Sequence, residues 1–428
     1  MQNIELSTTV HASPHRTSSR LKRILKSLED ALPPQKAFDL DLLGEQMRIG
    51  SGDVSFKVTI HNRRGLSALG SMDEKRIGEA FLDGDITIEG DLMAAFDLRR
   101  SLTDRHPLFC LWSVYGQRLF FGQVDRDKQW IHEHYDSESL FYLLFLDKEH
   151  RCYSHGYFED DEEPLHLAIR RKLSTAIEAC GIKPGWRVLD IGAGWGAFTQ
   201  YAGRQGIQVT SLTISAESEN YVNQLIAREG LPCRVVREHF LEYKSSERFD
   251  AIVNLGVTEH LPDYSATIAQ YERLLKPGGR VFLDACASRN KYPFSSFVLT
   301  HIWPGNTTPM KLTDYLDAVA SSPFELIYAR NDRQNYLLTT RHWAENLERH
   351  RDEVIARWGE RLYRRFRLYL WGCVHSFSSD DVTAYRLLLE LPADIEARKA
   401  LARGRFTRSN NSPALRSWNT LRKVLMRG

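Results

Sequence analysis

Val188-Leu189-Asp190-Ile191-Gly192-Ala193-Gly194-Trp195-Gly196 decides the fold class. An apolar strand carrying one acid runs into a turn with glycine at alternate positions. Without a Cβ, backbone N–H groups there come close to a ligand, and the helix that follows turns its positive end to the same place. The spacing is not the Gly-x-Gly-x-x-Gly of dinucleotide sites, and Asp190 stands beside where a pyrophosphate would lie. The turn therefore predicts a nucleotide-like ligand with a cationic part.

Working outward, Gln208-Val209-Thr210-Ser211-Leu212-Thr213-Ile214-Ser215 reads as a second strand whose polar end meets a ribose. Phe249 to Gly256 reads as a buried strand, and Leu274 to Leu283 as a helix end, a Lys-Pro-Gly-Gly turn and another strand. Strands alternating with helices, with glycine at strand C-terminal ends, predict an α/β doubly wound sheet with its ligand at the topological switch point. The order resembles the class I S-adenosylmethionine-dependent methyltransferases, a Rossmann-like fold, in which the acid at the strand end faces the amino acid part of the cofactor.

The 428 residues suit two or three domains, and 42% hydrophobic residues suffice for their cores. A net charge of +2 sets up no global field for nucleic acid. The six cysteines form no Cys-x-x-Cys pair, which points away from a zinc site and toward reduced thiols in a cytoplasmic protein. Met1 to Ser19 lacks the apolar core of a signal peptide, and no run approaches the ~18 apolar residues of a membrane span.

Five segments are expected: a basic amphipathic helix within 1–35, a small α+β accessory domain over 36–125, an aromatic linker or lid over 126–165, the sheet domain over 166–395 with an aromatic insertion near 289–322, and a basic tail over 396–428. Leu21, Ile24, Leu25, Leu28 and Leu32 fall at helical spacing beside Arg20, Lys22, Arg23 and Lys26, and Leu415, Trp418, Leu421 and Leu425 repeat the pattern. Such helices serve equally to lie on an anionic bilayer or to dock on the protein itself.

As an ordered set, these segments are similar to the cyclopropane fatty acid synthase family. The landmarks run from Gly78-Glu79-Ala80-Phe81-Leu82-Asp83-Gly84-Asp85 to Trp371-Gly372-Cys373-Val374-His375-Ser376-Phe377. Between them lie His134-Tyr135-Asp136, Tyr153-Ser154-x-x-Tyr157-Phe158, the glycine turn, Leu212-Thr213-Ile214-Ser215, Glu259-His260, Lys276-Pro277-Gly278-Gly279, Trp303-Pro304-Gly305 and Tyr336. The resemblance implies methyl transfer from S-adenosylmethionine to a cis double bond of a phospholipid acyl chain, after which the carbocation loses a proton to close a ring. It also implies that the small N-terminal domain engages lipid. Aligning a weak alkene nucleophile needs a dry pocket, and aromatic faces favour the cation. Phe294, Phe297, Trp303, Tyr336, Tyr369 and Trp371 are the candidates, each also readable as plain core.

For the cofactor, the resemblance implies Asp190, Gly192, Gly194, Trp195, Gly196, Thr213 and Ser215, with Tyr153 and Ser154 over the methionine end. Adenine contacts fall near Glu238 and His239. A glutamine common in the family is Ser218 here. The base departs further: the family holds bicarbonate with a Cys, a Glu, a His, a backbone amide and a Tyr. Here Glu259 and Tyr336 persist and Cys286 takes the amide position, but the Cys is His155 and the His is Asp284. An acid beside Glu259 works against an anion. The expectation is that Asp284 and His155 take over proton transfer, against the bland reading of a loop cap and a satisfied buried histidine.

The product expected is a cyclopropane, methylene or methyl-branched chain, or a furan fatty acid precursor. The expected partners are unsaturated phospholipid acyl chains and the anionic inner membrane surface, with a homodimer and a helper reductase as further possibilities. Two other readings stay open: an N- or O-methyltransferase on a soluble metabolite, and a non-catalytic subunit binding S-adenosylmethionine or lipid.

Overall fold

A computed structural model describes residues 19–111, 139–290, 294–303 and 308–396. His134-Tyr135-Asp136, Pro304-Gly305 and the basic tail lie outside the described residues. The chain separates into two compact units. The first comprises the described residues of Met1–Ile169, Asn290–Pro309 and Asp332–Thr383, and the second those of Arg170–Arg289, Met310–Asn331 and Ala384–Gly428. The aromatic insertion and the helices after Asp332, expected with the sheet domain, thus cluster with the N-terminal segment.

In the first unit a four-stranded sheet has the order β2-β1-β3-β4, from β1 (Lys36–Leu42), β2 (Glu45–Gly50), β3 (Asp53–Ile60) and β4 (Ile86–Gly90). Alternation sends Phe38, Leu40, Phe56, Val58 and Ile60 into one core. The helix Ser19–Ala31 lays its apolar stripe on that core, with Ile24 and Leu28 buried and Leu21 and Leu25 packed beside them. This corrects the bilayer reading for that helix: its apolar face is spent on docking, while Lys22 and Arg23 remain exposed. Phe297, on the short helix Ser296–His301, is core as well. It packs with Phe81 and Leu82, close enough to Gly78 that a Cβ there would stand 2.5 Å from its ring.

The second unit holds a seven-stranded sheet, β10-β11-β9-β8-β5-β6-β7. Its strands are β5 (Arg187–Ile191), β6 (Gln208–Thr213), β7 (Arg234–Arg237), β8 (Phe249–Leu255), β9 (Leu275–Ala287), β10 (Glu325–Asn331) and β11 (Thr383–Glu390). Parallel pairing joins β7 to β6, β6 to β5, β5 to β8 and β8 to β9, whereas β10 and β11 are antiparallel. The chain leaves β5 toward β6 and later returns to β8 on its other side. The carboxyl end of β5 is therefore the switch point where such sheets bind ligands. The doubly wound expectation holds, with an antiparallel pair added at one edge.

Candidate active site

The glycine turn is fastened from both sides. Gly192 and Ala193 donate their N–H groups to Leu212 O at 3.0 and 2.7 Å, and Ser218 Oγ donates to Gly194 O at 2.7 Å. The three glycines have different duties. A Cβ at Gly192 would meet Val257 Cγ2 at 2.3 Å, and one at Gly196 would meet Leu225 Cδ2 at 2.7 Å, so these two serve packing. At Gly194 a Cβ would enter open space, with only the carbonyl of Gly192 as near as 4.0 Å. That opening allows a ligand to lie directly on the backbone, the feature a nucleoside cofactor needs. Trp195 is buried edge-on against Tyr221, with ring centroids 5.4 Å apart.

Asp190 is buried at the end of β5, and burial raises its carboxyl to about 7 against hydrogen bonds from Ser211 and Thr199 that lower it. A cationic group brought beside it would favour the ionised form. Thr213 and Ser215 are engaged locally: Thr213 Oγ1 accepts from Ser215 N, and Ser215 caps the helix Ala216–Glu229 by accepting from Ser218 N. They shape the strand end. His239 is buried, its Nδ1 accepting from Leu241 N at 3.2 Å, while Glu238 is half-buried.

The same unit brings Glu259 and Asp284 together. Register is the reason: Leu255 pairs with Asp284 across β8 and β9, so the turn Thr258–His260 after β8 carries Glu259 onto the end of β9. Cys286 N donates to Glu259 Oε1 at 2.6 Å, while Glu259 Oε2 is buried with no hydrogen-bond partner among the described residues. Burial raises the Glu259 carboxyl to about 7; the Cys286 N–H lowers it, Asp284 raises it and Lys172 lowers it. Lys172 Nζ lies 3.0 Å from Asp284 Oδ2, and both side chains are 0% exposed.

Lys172 is the residue the sequence reading missed. It sits on the helix Leu165–Cys180, whose buried positions Ala168, Ile169, Leu173 and Ala176 share its face. A lysine on an apolar helical stripe was the available signal, since such a charge is almost never fully buried unless paired.

In the first unit His155 is fully buried, with Nε2 3.5 Å from Asp332 Oδ2 and neither ring nitrogen hydrogen-bonded among the described residues. It stacks on Tyr336 at 4.6 Å, and Tyr336 stacks on Phe377 at 4.5 Å. Tyr336 thus takes part in two ring stacks within the first unit. Tyr153 tilts against Trp343 at 5.2 Å, and Ser154 is buried beside Cys152. Within the second unit Asp284 has Lys172 beside it, and within the first His155 has Asp332 beside it.

Residues 123–387 match the model of the family described as mycolic acid cyclopropane synthetase. A probable fatty acid methyltransferase of Pseudomonas putida is 26% identical over 332 residues, 74% of this chain and 82% of its own length. A sphingolipid C9-methyltransferase of Candida albicans is 25% identical, over 72% of this chain and 64% of its own. Among solved structures, the cyclopropane synthase MmaA2 from Mycobacterium tuberculosis superposes with a TM-score of 0.58 at 27% identity, covering 61% of this chain and 98% of that one. The cyclopropane synthase CmaA1, complexed with S-adenosylhomocysteine and CTAB, gives 0.56 at 28%, covering 61% and 96%. With the glycine turn at the switch point and the family match spanning more than half its length, this chain belongs to the mycolic acid cyclopropane synthetase family and is an S-adenosylmethionine-dependent methyltransferase.

Proposed function

We propose that this enzyme methylates a carbon of a double bond in the unsaturated acyl chain of a phospholipid, giving a cyclopropane, methylene or methyl-branched chain. The observation that carries the reading is Glu259 Oε2, a buried carboxylate oxygen with no hydrogen-bond partner among the described residues. Methylating an amine or a hydroxyl releases a proton that water can take, whereas an alkylated alkene in a dry site must give a C–H proton to a fixed acceptor. The names of the relatives point the same way, since each acts on a fatty acid, a sphingolipid or a mycolic acid.

In this reading the turn Gly192–Gly196 lies against the cofactor, Asp190 faces its cationic amino acid part, and Thr213 and Ser215 border its ribose. Glu238 and His239 stand toward adenine, and Tyr153 and Ser154 toward the methionine end. S-adenosylmethionine supplies an electrophilic methyl on a sulfonium centre. The chain's own residues orient the alkene, exclude water and take the proton. No helix among the described residues is long and apolar enough to cross a membrane. Contact with an anionic leaflet would be electrostatic, through exposed groups such as Lys22 and Arg23, and would weaken with salt.

The test is incubation with S-adenosylmethionine and vesicles of monounsaturated and diunsaturated phospholipids, followed by mass spectrometry of the acyl chains. A gain of CH₂ with release of S-adenosylhomocysteine is expected, and the position of any remaining double bond identifies the product. Turnover on soluble amines or phenols alone would replace this reading with N- or O-methylation.

A further inference from the structure

The cluster of Lys172, Glu259 and Asp284 combines groups from three separated parts of the chain in a space with no solvent exposure at the Lys172 and Asp284 side chains. A full ion pair is costly to bury, and replacing it with apolar residues would often be neutral or favourable. Here it stands beside a second carboxylate, Glu259, one of whose oxygens has no hydrogen-bond partner among the described residues. Cys286 N–H fixes Glu259 Oε1, which leaves Oε2 as the atom with unused capacity.

We propose that Glu259 Oε2 is the proton acceptor of the reaction, with Asp284 and Lys172 as its positioning pair, so that turnover needs no bound bicarbonate. Lys172 pairs with Asp284 at 3.0 Å, and the Asp284 carboxylate beside Glu259 raises the basicity of Glu259 while occupying the place an exogenous anion would need. In the proton step a C–H bond of the transferred methyl breaks and its electron pair bonds to the cationic carbon, closing the ring, or a C–H bond on a carbon next to the cationic one breaks and its pair forms a double bond. The proton passes to Glu259 Oε2, which becomes a neutral acid and later returns it to water. The charged groups facing Glu259 are Asp284 on β9 and Lys172 on the helix Leu165–Cys180. Burial and Asp284 both push the Glu259 carboxyl upward, to about 7, the range that suits a base at neutral pH.

This inference rests on the acyl methylation reading for its turnover assay, so a second readout works without substrate. Turnover on unsaturated phospholipid vesicles is measured in bicarbonate-depleted buffer and with bicarbonate restored. Equal rates within about twofold are expected, as is a fall of about 10²–10⁴-fold in Glu259→Gln with cofactor affinity kept. In parallel, the protonated-carboxyl infrared band is titrated. Because Asp190 is raised to the same range, the Glu259 component is the part of the band lost in Glu259→Gln; it should be present at acid pH and vanish through about 7. Asp284→Asn should move its midpoint to lower pH by removing a repelling charge, a shift that a purely structural role for Asp284 would not produce.

Should Asp284→Asn fail to fold, Asp284→His, the residue type that the resemblance implies at this position, removes the same repelling charge and serves the same titration. Stimulation of the wild type by bicarbonate of about tenfold or more overturns the proposal while leaving acyl methylation standing. An infrared midpoint unmoved by Asp284→Asn, or by Asp284→His where the first does not fold, overturns it too. Absence of turnover on every lipid, with the titration as expected, removes the acyl substrate and retains the proton acceptor.

Discussion

The glycine turn and the Lys172–Asp284–Glu259 cluster both belong to the second unit, yet they are built in opposite ways. The turn is one continuous strand, loop and helix start, and its requirements are conformational: positive φ at 192, 194 and 196, and room for a backbone to meet a ligand. The cluster draws one side chain each from a helix, a turn and a strand, and its requirement is electrostatic balance. Damage to the first should spread through packing and cofactor affinity. Damage to the second should leave an uncompensated charge.

The largest effect on stability is expected from Asp284→Ala, which strands the Lys172 ammonium in the interior and should cost about 3–5 kcal/mol in a denaturant melt. If Lys172→Met in the same chain fails to recover much of that loss, the cluster is not an electrostatic unit and the contrast collapses. Gly192→Ala comes next. Its Cβ would overlap Val257 Cγ2 at 2.3 Å at φ +85°, which should cost about 1–3 kcal/mol and weaken cofactor binding at once.

Gly194→Ala sharpens the comparison because nothing of the protein opposes its Cβ. Stability should fall by only about 1 kcal/mol from the left-handed backbone, yet calorimetry should show cofactor affinity reduced tenfold or more. Unchanged affinity would mean that the ligand does not lie on this turn.

The smallest effect is a slope with pH. Asp190 and Glu259 are raised to about 7 from ordinary values of 3.8 and 4.5. Across that interval the folded chain keeps protons that the unfolded chain has released. Stability contributed by the protonated acids should therefore decline as pH rises from about 4 to 7 and level off above it. Each group contributes at most about 1.4 kcal/mol per pH unit. Asp190→Asn and Glu259→Gln should each flatten the slope by one group's share.

Much of the second unit was legible because its signals are local. The strand at 187–191, the glycines after it and the strands at 208 and 249 each follow from a run of neighbouring residues. The sites of Asp190 and the turn follow with them. Three things were not. The N-terminal helix shows an amphipathic stripe, but a stripe does not say what covers it; the core of Phe38, Leu40 and Phe56 does. The helices after Asp332 cluster with the N-terminal segment although they follow the sheet in sequence. The neighbours Lys172 of Asp284 and Asp332 of His155 were not legible, because chain order carries no information about which buried cation meets which buried acid.

The sequence by itself determined the alternation of strands and helices, the switch-point turn and the residue types, His155 and Asp284, at the positions where the resemblance implies a Cys and a His. These are matters of backbone conformation and composition, decided within a few residues. Only the tertiary structure decided that Lys172 neutralises Asp284, that Asp332 faces His155, and that Glu259 keeps one oxygen unengaged. Ion pairing inside a protein depends on which groups share a desolvated space, and that is set by strand register and helix docking across the whole unit.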